Sequence, residues 1–304
     1  MILVKCVKKT QKVAKYCFYH LYLRRYYAIK IMQYLHLDSQ FHPFGNSIAF
    51  QSFVFNGGEP HIRIEESLKG TEGITITHRI KTFEDMGVLL LAVDALRRMG
   101  VEKINLFLPY FPAARQDRIM TKGEPLSVKV YAELINNLDL NKLTILDPHS
   151  EVTPALLNRV EVLENHTYVK QIADQLEDFY LVSPDAGALK KVYKTAQYLG
   201  GVEVVEGAKT RDVKTGKLSG FTIHQEDLEG RTCLVVDDIC DGGGTFLGLA
   251  EQLKAHNAGK LILFVTHGIF SKGSKELAKV YDQIICTNSF KSITDKKIEQ
   301  IEIR

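Results

Sequence analysis

No apolar run in the sequence is long enough to cross a membrane. The longest runs, residues 88–93 and 261–265, have the size of core strands or helical turns, whereas a membrane-spanning helix needs about 20 apolar residues. CxxC spacing is also missing, and the 5 cysteines are odd in number, which argues against a disulfide framework and suits a reducing compartment. We therefore expect a soluble, cytoplasmic protein.

Acidic residues are absent from residues 1–31, which carry eight of the 39 Lys and Arg residues. Because the whole chain has a net charge of only +3, residues 32–304 are net acidic, and no general nucleic-acid-binding surface is expected there. Three interpretations of residues 1–31 remain open: a helix that binds a membrane surface or nucleic acid, an organelle transit peptide without the usual serines, or an appendage outside the main fold. We prefer the appendage.

The most informative stretch is residues 233–246, CLVVDDICDGGGTF. Its first four residues are apolar and typical of a central parallel strand, which places Asp237 and Asp238 at the carboxyl end, where α/β sheets bind ligands. Asp241, three glycines and Thr245 then lead into a helical pattern. A glycine loop at a helix N-terminus favours an anion. The stretch predicts a site for a sugar phosphate, with the loop on the phosphate and the paired carboxylates on sugar hydroxyls.

Other interpretations of this stretch are weaker. An ordinary acidic turn between a strand and a helix is the simplest alternative. A P-loop is disfavoured because no lysine follows the glycines, and the spacing of a calcium loop is wrong because an apolar residue or glycine would occupy its last position.

The segment VVDDICDGGGT resembles the phosphoribosyl-diphosphate (PRPP) loop that type I phosphoribosyltransferases share with ribose-phosphate diphosphokinases, the PRPP synthetases. The resemblance implies that ribose 5-phosphate is bound by Asp237, Asp238, Asp241, Gly242, Gly243, Gly244 and Thr245.

Strand, loop and helix patterns recur along the rest of the chain without a low-complexity tract or long linker. With 304 residues, 45% of them hydrophobic, the chain can form two domains with separate cores. We expect an α/β fold of two tandem phosphoribosyltransferase-like, Rossmann-like domains, each a mainly parallel sheet flanked by helices. The expected boundaries are 1–31 for the appendage, 32–163 for an ATP-side domain and 164–304 for the domain that binds ribose 5-phosphate and PRPP. Within the first domain, Ser127 is predicted to be the N-cap of a helix over residues 127–139.

Three segments of residues 32–163 also resemble PRPP synthetases: FNGGE, PYFPAARQDR and DPH. Taken alone, they would indicate a Gly-Gly hairpin, a solvated turn and a structural histidine. The resemblance implies that ATP, reached partly from a neighbouring subunit, is bound by Phe55, Glu59, Arg115, Gln116 and Asp117. Arg118 would support this site, and Gly57 stands where many members have Asp. His149, with Asp147 as a further candidate, would lie beside the ATP phosphates and the metal ion.

The segment SPDAG resembles the pyrophosphate loop SPDxGGxxR of the same family. The resemblance implies that Ser183, Asp185 and Gly187 form this loop, and that Asp185 and His149 hold Mg²⁺, the expected cofactor. Lys191 replaces the arginine of the family pattern and retains its positive charge.

The segment AKTRDVKTGKLSG would ordinarily be a mobile, solvated hairpin. In the family this position is a flexible loop whose Lys-x-Arg pair closes over the transferred phosphates, and Lys209 and Arg211 match that pair. The resemblance thus makes His149, Lys209 and Arg211 the catalytic residues.

Together these segments identify the chain as a member of the ribose-phosphate diphosphokinase family. The implied reaction is Mg²⁺-dependent transfer of the diphosphoryl group of ATP to O1 of ribose 5-phosphate, giving PRPP and AMP. ATP and ribose 5-phosphate are the expected partners, with no nucleic acid, no membrane for the enzyme body, and a homo-oligomer that is a dimer or a hexamer. Two alternatives remain: a catalytically silent regulatory subunit of such an enzyme, which would lose site residues, and a type I phosphoribosyltransferase, which has no need of PYFPAARQDR or DPH.

We expect deletion of residues 2–31 to leave catalysis intact, because these residues lie outside the predicted domains. The measurement is the turnover of the purified truncated protein beside that of the full chain. A loss of more than about tenfold would show that the segment belongs to the catalytic fold.

Overall fold

The structure, a computed structural model, describes residues 31–68, 71–211 and 218–304; for residues 31, 209–211, 218 and 219 it describes the backbone alone. The predicted appendage therefore lies outside the described residues except for Ile31, which begins the first strand. Within these ranges, no helix combines the length and the apolar character that crossing a membrane requires.

Among the described residues, the first sheet contains five strands, which span Ile31–His36 (β1), Thr71–Thr77 (β4), Ile104–Leu108 (β5), Lys142–Leu146 (β6) and Val160–Leu163 (β7). They lie in the order β1-β4-β5-β6-β7, and every pair is parallel. Two further strands form a separate antiparallel hairpin, Phe50–Val54 (β2) and Pro60–Ile64 (β3). The helices of this half span Phe83–Arg98 (α1), Ser127–Asn136 (α2) and Val152–Leu156 (α3).

The second sheet, as far as the structure describes the chain, contains seven strands, which span Phe179–Ser183 (β8), Val204–Arg211 (β9), Leu218–Ile223 (β10), Thr232–Cys240 (β11), Leu261–Gly268 (β12), Gln283–Thr287 (β13) and Glu299–Ile301 (β14). Their order is β10-β9-β8-β11-β12-β13-β14, and all pairs are parallel except β9 with β10. The helices span His166–Ala173 (α4), Leu189–Tyr198 (α5) and Gly244–Ala255 (α6), with a short 3₁₀ helix at Leu277–Lys279. The predicted α/β fold with two parallel-dominated sheets is confirmed.

Helix α1 shows how local sequence sets an element's start. The Thr82 hydroxyl accepts a hydrogen bond from the Asp85 backbone N–H, and the Asp85 carboxylate accepts one from the Thr82 N–H, a reciprocal capping box. The apolar face then buries Leu89 and Leu96 completely against the sheet. Burying each such side chain stabilises the fold by roughly 1.5–3 kcal/mol.

The start of α2 differs from the prediction. Ser127 is the first helical residue rather than the N-cap, which is Leu126, and the described residues provide no side-chain cap there. One of the first N–H groups of the helix is instead satisfied by the preceding loop, because the Val128 N–H donates to the backbone oxygen of Gln116 at 3.3 Å. The predicted cap was therefore wrong.

Strand β11 is longer than its apolar core suggested. Asp237 and Asp238 were expected just beyond the strand, but pairing with β12 continues through them, with Asp237 opposite Val265 and Cys240 opposite Gly268. Both carboxylates are consequently held on a rigid strand at the carboxyl edge of the sheet rather than on a loop.

The two halves are in direct contact. Ile303, near the end of the chain, packs with Phe41, Phe107 and Leu146 of the first half. The Arg79 guanidinium, which is 1% exposed, also donates to the Asn288 backbone oxygen at 3.0 Å. These contacts fix the orientation of the two sheets around the cavity described next.

Candidate active site

A cavity of about 630 Å³ lies where the carboxyl ends of the two sheets meet. Both halves line it, and polar residues predominate: Arg115, Arg118, His149, Ser150, Asp185, Gly187, Lys191, Asp237, Asp238, Asp241, Gly242, Gly243, Gly244 and Thr245. This position agrees with the rule that α/β proteins bind ligands beyond the carboxyl ends of their strands.

The glycine loop forms one wall of the cavity and ends at the N-terminus of α6. Gly243 is the N-cap with φ of +78°, and a side chain added there would meet Leu277 at 3.2 Å, so glycine is required. Among the described residues no side chain caps this helix. Its first N–H groups can therefore bind an anion that enters the loop.

The surroundings shift the pKa values of Asp237 and Asp238 in opposite directions. Burial, together with the neighbouring charge of Asp238, raises the pKa of Asp237 well above its ordinary value. Burial alone would also raise the pKa of Asp238, but the hydrogen bond from His149 and the positive charge of Lys191 outweigh it and lower that pKa to about 2. Asp238 thus carries the negative charge of the pair.

His149 connects the two halves at the cavity. Its Nδ1–H donates to Asp238 Oδ2 at 2.7 Å, across 89 residues of sequence. This hydrogen bond raises the pKa of His149, against an opposing effect of burial. The imidazole is 34% exposed, so its other edge can reach a ligand in the cavity.

The His149–Asp238 pair predicts a pH dependence of stability. Because the pKa of His149 is raised on folding, the pair stabilises the fold fully below the unfolded histidine's pKa of about 6.5, and the contribution is lost as pH rises through the folded value. The difference in unfolding free energy between wild type and His149→Ala should be larger at pH 6 than at pH 8.5, by about 1 kcal/mol, in urea unfolding. A difference that grows with pH would contradict the assigned charge states.

The pKa of Asp238 sets the lower pH limit of this stabilisation. Its folded pKa of about 2 lies below its ordinary value, so its contribution is present above about pH 4 and is lost as pH falls toward 2. The pair is therefore at full strength between about pH 4 and pH 6.5.

Asp147 is a buried junction rather than a residue that faces the cavity. It is 0% exposed, and its carboxylate accepts hydrogen bonds from the side chains of Asn165 (3.0 Å), Lys191 (2.9 Å) and Thr266. His267 also donates to its backbone oxygen at 3.1 Å. These contacts place Asp147 in the buried frame that supports His149, and its role as a site residue stays a prediction.

The predicted ATP residues are only partly brought together. Arg115 lines the cavity and bridges the halves, since its Nη1 lies 2.7 Å from Asp241 Oδ2. Neither Gln116 nor Asp117 belongs to the described residues that line the cavity. Asp117 instead accepts from Arg118 at 3.0 Å, and its other oxygen is buried without a hydrogen-bond partner among the described residues.

Phe55 and Glu59 lie on the hairpin between β2 and β3, and the described cavity lining includes neither of them. Phe55 is 51% exposed and stacks edge-on against Phe53, at 5.0 Å between ring centroids, with His61 beside both rings. An exposed aromatic cluster of this kind is typical of a surface that binds something beyond its own chain.

The predicted pyrophosphate loop is held by hydrogen bonds within itself. The Asp185 carboxylate accepts hydrogen bonds from the N–H groups of Gly187 (2.9 Å) and Ala188 (3.2 Å), and Asp185 and Gly187 both line the cavity. Ser183 is 0% exposed and donates to the backbone oxygen of Asp185, so it shapes the loop from behind.

Lys209 and Arg211 are placed only through their backbone, because their side chains lie outside the described residues. Both belong to β9, whose last residue paired with β8 is Glu206, opposite Ser183. The strand then continues for five residues beyond the edge of β8, with Lys209 opposite Phe221 of β10. At about 3.3 Å per residue, this extension projects past the edge where the cavity lies.

The supporting roles of Asn165 and Lys191 were not predicted. Asn165 and the Lys191–Asp147 ion pair hold the turn that carries His149, but Asn165 has no motif around it and Lys191 was assigned only to the pyrophosphate loop. No local signal singled Lys191 out for this role, because Lys190 and Lys194 lie beside it in the same helix.

Metal-binding capacity is limited to a few oxygen donors. Among the described residues no group of three or more His, Cys, Asp or Glu side chains is placed to hold an ion. Mg²⁺, however, is usually bound by one or two carboxylates together with substrate phosphates rather than by a protein cage. The carboxylate of Asp185 at the cavity wall fits that mode.

Comparison with known proteins agrees with this geometry. A family model described as the N-terminal domain of ribose phosphate pyrophosphokinase matches residues 28–138, and a phosphoribosyl transferase domain model matches residues 157–300. The chain is 31% identical to a ribose-phosphate pyrophosphokinase of Vibrio cholerae, over 77% of this chain and 76% of that protein. It is also 31% identical to one of Pyrococcus furiosus, over 80% and 86%. A solved phosphoribosylpyrophosphate synthetase from Mycobacterium smegmatis superposes with a TM-score of 0.78 at 25% identity, covering 90% of this chain and 95% of that one.

Proposed function

The chain belongs to the ribose-phosphate pyrophosphokinase family, and we propose that it transfers the diphosphoryl group of ATP to O1 of ribose 5-phosphate, giving PRPP and AMP. The observation that carries this proposal is a single cavity that joins a sugar-phosphate loop on one half to Arg115 and His149 on the other. We further propose residues 32–163 and 164–304 as the two domains that meet there.

Ribose 5-phosphate would occupy the side of the cavity formed by β11 and α6. The N–H groups of residues 241–245 and the helix dipole suit the doubly charged 5-phosphate. Asp238, ionised and anchored by His149, would accept hydrogen bonds from the sugar hydroxyls, together with Asp237. In this arrangement O1 would point toward the middle of the cavity.

ATP would occupy the opposite side, near Arg115 and His149. Phe55 and Glu59 would complete an ATP site from a neighbouring subunit, because their exposed hairpin lies away from the cavity of its own chain. This division requires a homo-oligomer, at least a dimer, in which the Phe53–Phe55–His61 cluster covers adenine. Gln116 and Asp117 would support Arg115 and Arg118 from behind.

Mg²⁺ would be held by Asp185 and His149 together with ATP oxygens. When bound, the ion neutralises phosphate charge and orients the diphosphoryl group for attack. The residues of the chain supply the remaining stabilisation, because phosphoryl transfer depends mainly on positioning and on opposite charge. Lys209 and Arg211 would provide that charge from the extension of β9.

Assay of the purified chain with ATP, ribose 5-phosphate and Mg²⁺ tests the proposal. We expect AMP and PRPP to form in equal amounts, and only when all three are present. Consumption of added PRPP with a purine base would instead indicate a phosphoribosyltransferase. Absence of any product, in a protein that stimulates a second PRPP synthetase, would indicate a regulatory subunit.

A further inference from the structure

Lys191 makes two short contacts with the other half of the molecule. Its Nζ donates to Asp147 Oδ1 at 2.9 Å and to the Pro148 backbone oxygen at 2.6 Å. The side chain is 30% exposed, whereas Asp147 is completely buried. Helix α5 of the second half therefore holds the turn that follows β6 of the first half.

That turn is conformationally demanding. Asp147 has φ of +41°, a left-handed conformation that is uncommon for residues with a side chain, although Asp adopts it more readily than most. Its N–H donates to Leu163 at 2.8 Å, and its carboxylate is held by Asn165 and Thr266. Lys191 adds the contact to Pro148, the residue directly before His149.

We propose that Lys191 is a positioning residue that fixes the His149 imidazole against Asp238. The chain of contacts is continuous: Lys191 binds Asp147 and the Pro148 oxygen, and the next residue, His149, donates to Asp238 at 2.7 Å. This role rests on the proposed function, because His149 would act in the transfer reaction and Lys191 would act through it. It differs from direct binding of a phosphate by Lys191, which would not act through His149.

A double-mutant cycle separates these two roles. Lys191→Met keeps the apolar stem and removes the charge, so kcat should fall by about tenfold to a hundredfold, as expected when a reacting group is misplaced by about 1 Å. Lys191→Arg should retain most of the turnover, because a guanidinium can still donate to Asp147 and Pro148. In a His149→Ala background, Lys191→Met should change kcat by less than about twofold. If Lys191→Met lowered kcat by the same factor in the wild-type and His149→Ala backgrounds, the proposal would be overturned and direct phosphate binding by Lys191 would be favoured.

The second readout does not depend on activity. NMR of the histidine side chains, with the His149 signals identified by their loss in His149→Ala, should show those signals displaced in Lys191→Met. They should be unchanged in Lys170→Ala, a matched control that removes an exposed lysine paired with Asp174 at 2.6 Å on α4. Unchanged His149 signals in Lys191→Met would contradict positioning. If the wild type makes no PRPP, the proposed function fails, while this experiment still decides the role of Lys191.

Loss of Lys191 also leaves the Asp147 charge buried without its cation, which can destabilise the protein. The double variant Asp147→Asn with Lys191→Met removes both charges and should restore the melting temperature of Lys191→Met toward wild type. Its His149 signals should remain displaced, because the contact to the Pro148 oxygen is still missing. Recovery of both stability and wild-type His149 signals would mean that Lys191 serves stability alone.

Discussion

Replacing Lys209 with alanine is expected to lower kcat by about 10²- to 10³-fold, with little change in the KM for ribose 5-phosphate. In the proposed reaction, a cation on the extension of β9 would stabilise charge that develops only as the diphosphoryl group leaves AMP. An interaction made in the transition state alone changes turnover rather than substrate binding. Steady-state kinetics with both substrates varied is the measurement.

The segment itself provides a matched control for this experiment. Lys214 lies in the same basic stretch and is assigned no role, so Lys214→Ala measures the effect of removing any positive charge there. We expect its kcat to stay within about threefold of wild type. A kcat near wild type for Lys209→Ala, or an equal loss in both variants, would disprove the specific role of Lys209.

Replacing Asp238 with asparagine should raise the KM for ribose 5-phosphate by about 10- to 100-fold, because a hydrogen bond to a charged group contributes roughly 1.5–3 kcal/mol. Turnover should fall as well, since the imidazole of His149 loses its ionised partner at 2.7 Å. The KM for ATP should change far less. Initial rates at saturating ATP and at saturating ribose 5-phosphate separate these effects.

Asp94→Asn is a suitable control for Asp238→Asn. Asp94 pairs with Arg98 at 2.7 Å on the exposed side of α1, remote from the cavity, and an exposed pair of this kind contributes little. We expect both of its KM values to be unchanged. If Asp238→Asn raised only the KM for ATP, the assignment of the two sides of the cavity would be reversed.

Local patterns in the sequence were sufficient to predict the strand β11 and the glycine loop that leads from it into α6. The apolar run from Cys233 to Val236 indicated a central strand, and the glycines indicated its ligand loop, because both signals depend on neighbouring residues. The length of β11 was underestimated for the same reason. Pairing with β12, not residue type, carries the strand through Asp237 and Asp238.

Contacts between distant residues could not be predicted in this way. His149 and Asp238 are 89 residues apart, and Thr266 lies 119 residues from Asp147. Their meeting depends on how the two sheets pack, for which a single sequence gives no signal. The resemblance of DPH to a family segment pointed to Asp147 and His149 but not to the buried frame around Asp147.

In the proposed reaction, ATP donates a diphosphoryl group to the sugar held by the 241–245 loop. It is tested most directly with ATP radiolabelled at the β-phosphorus, incubated with ribose 5-phosphate, Mg²⁺ and the purified chain. The label should appear in PRPP, while the AMP released should carry none. Label retained in ADP, with a sugar bisphosphate formed beside it, would show transfer of the γ-phosphoryl group alone and would contradict the account.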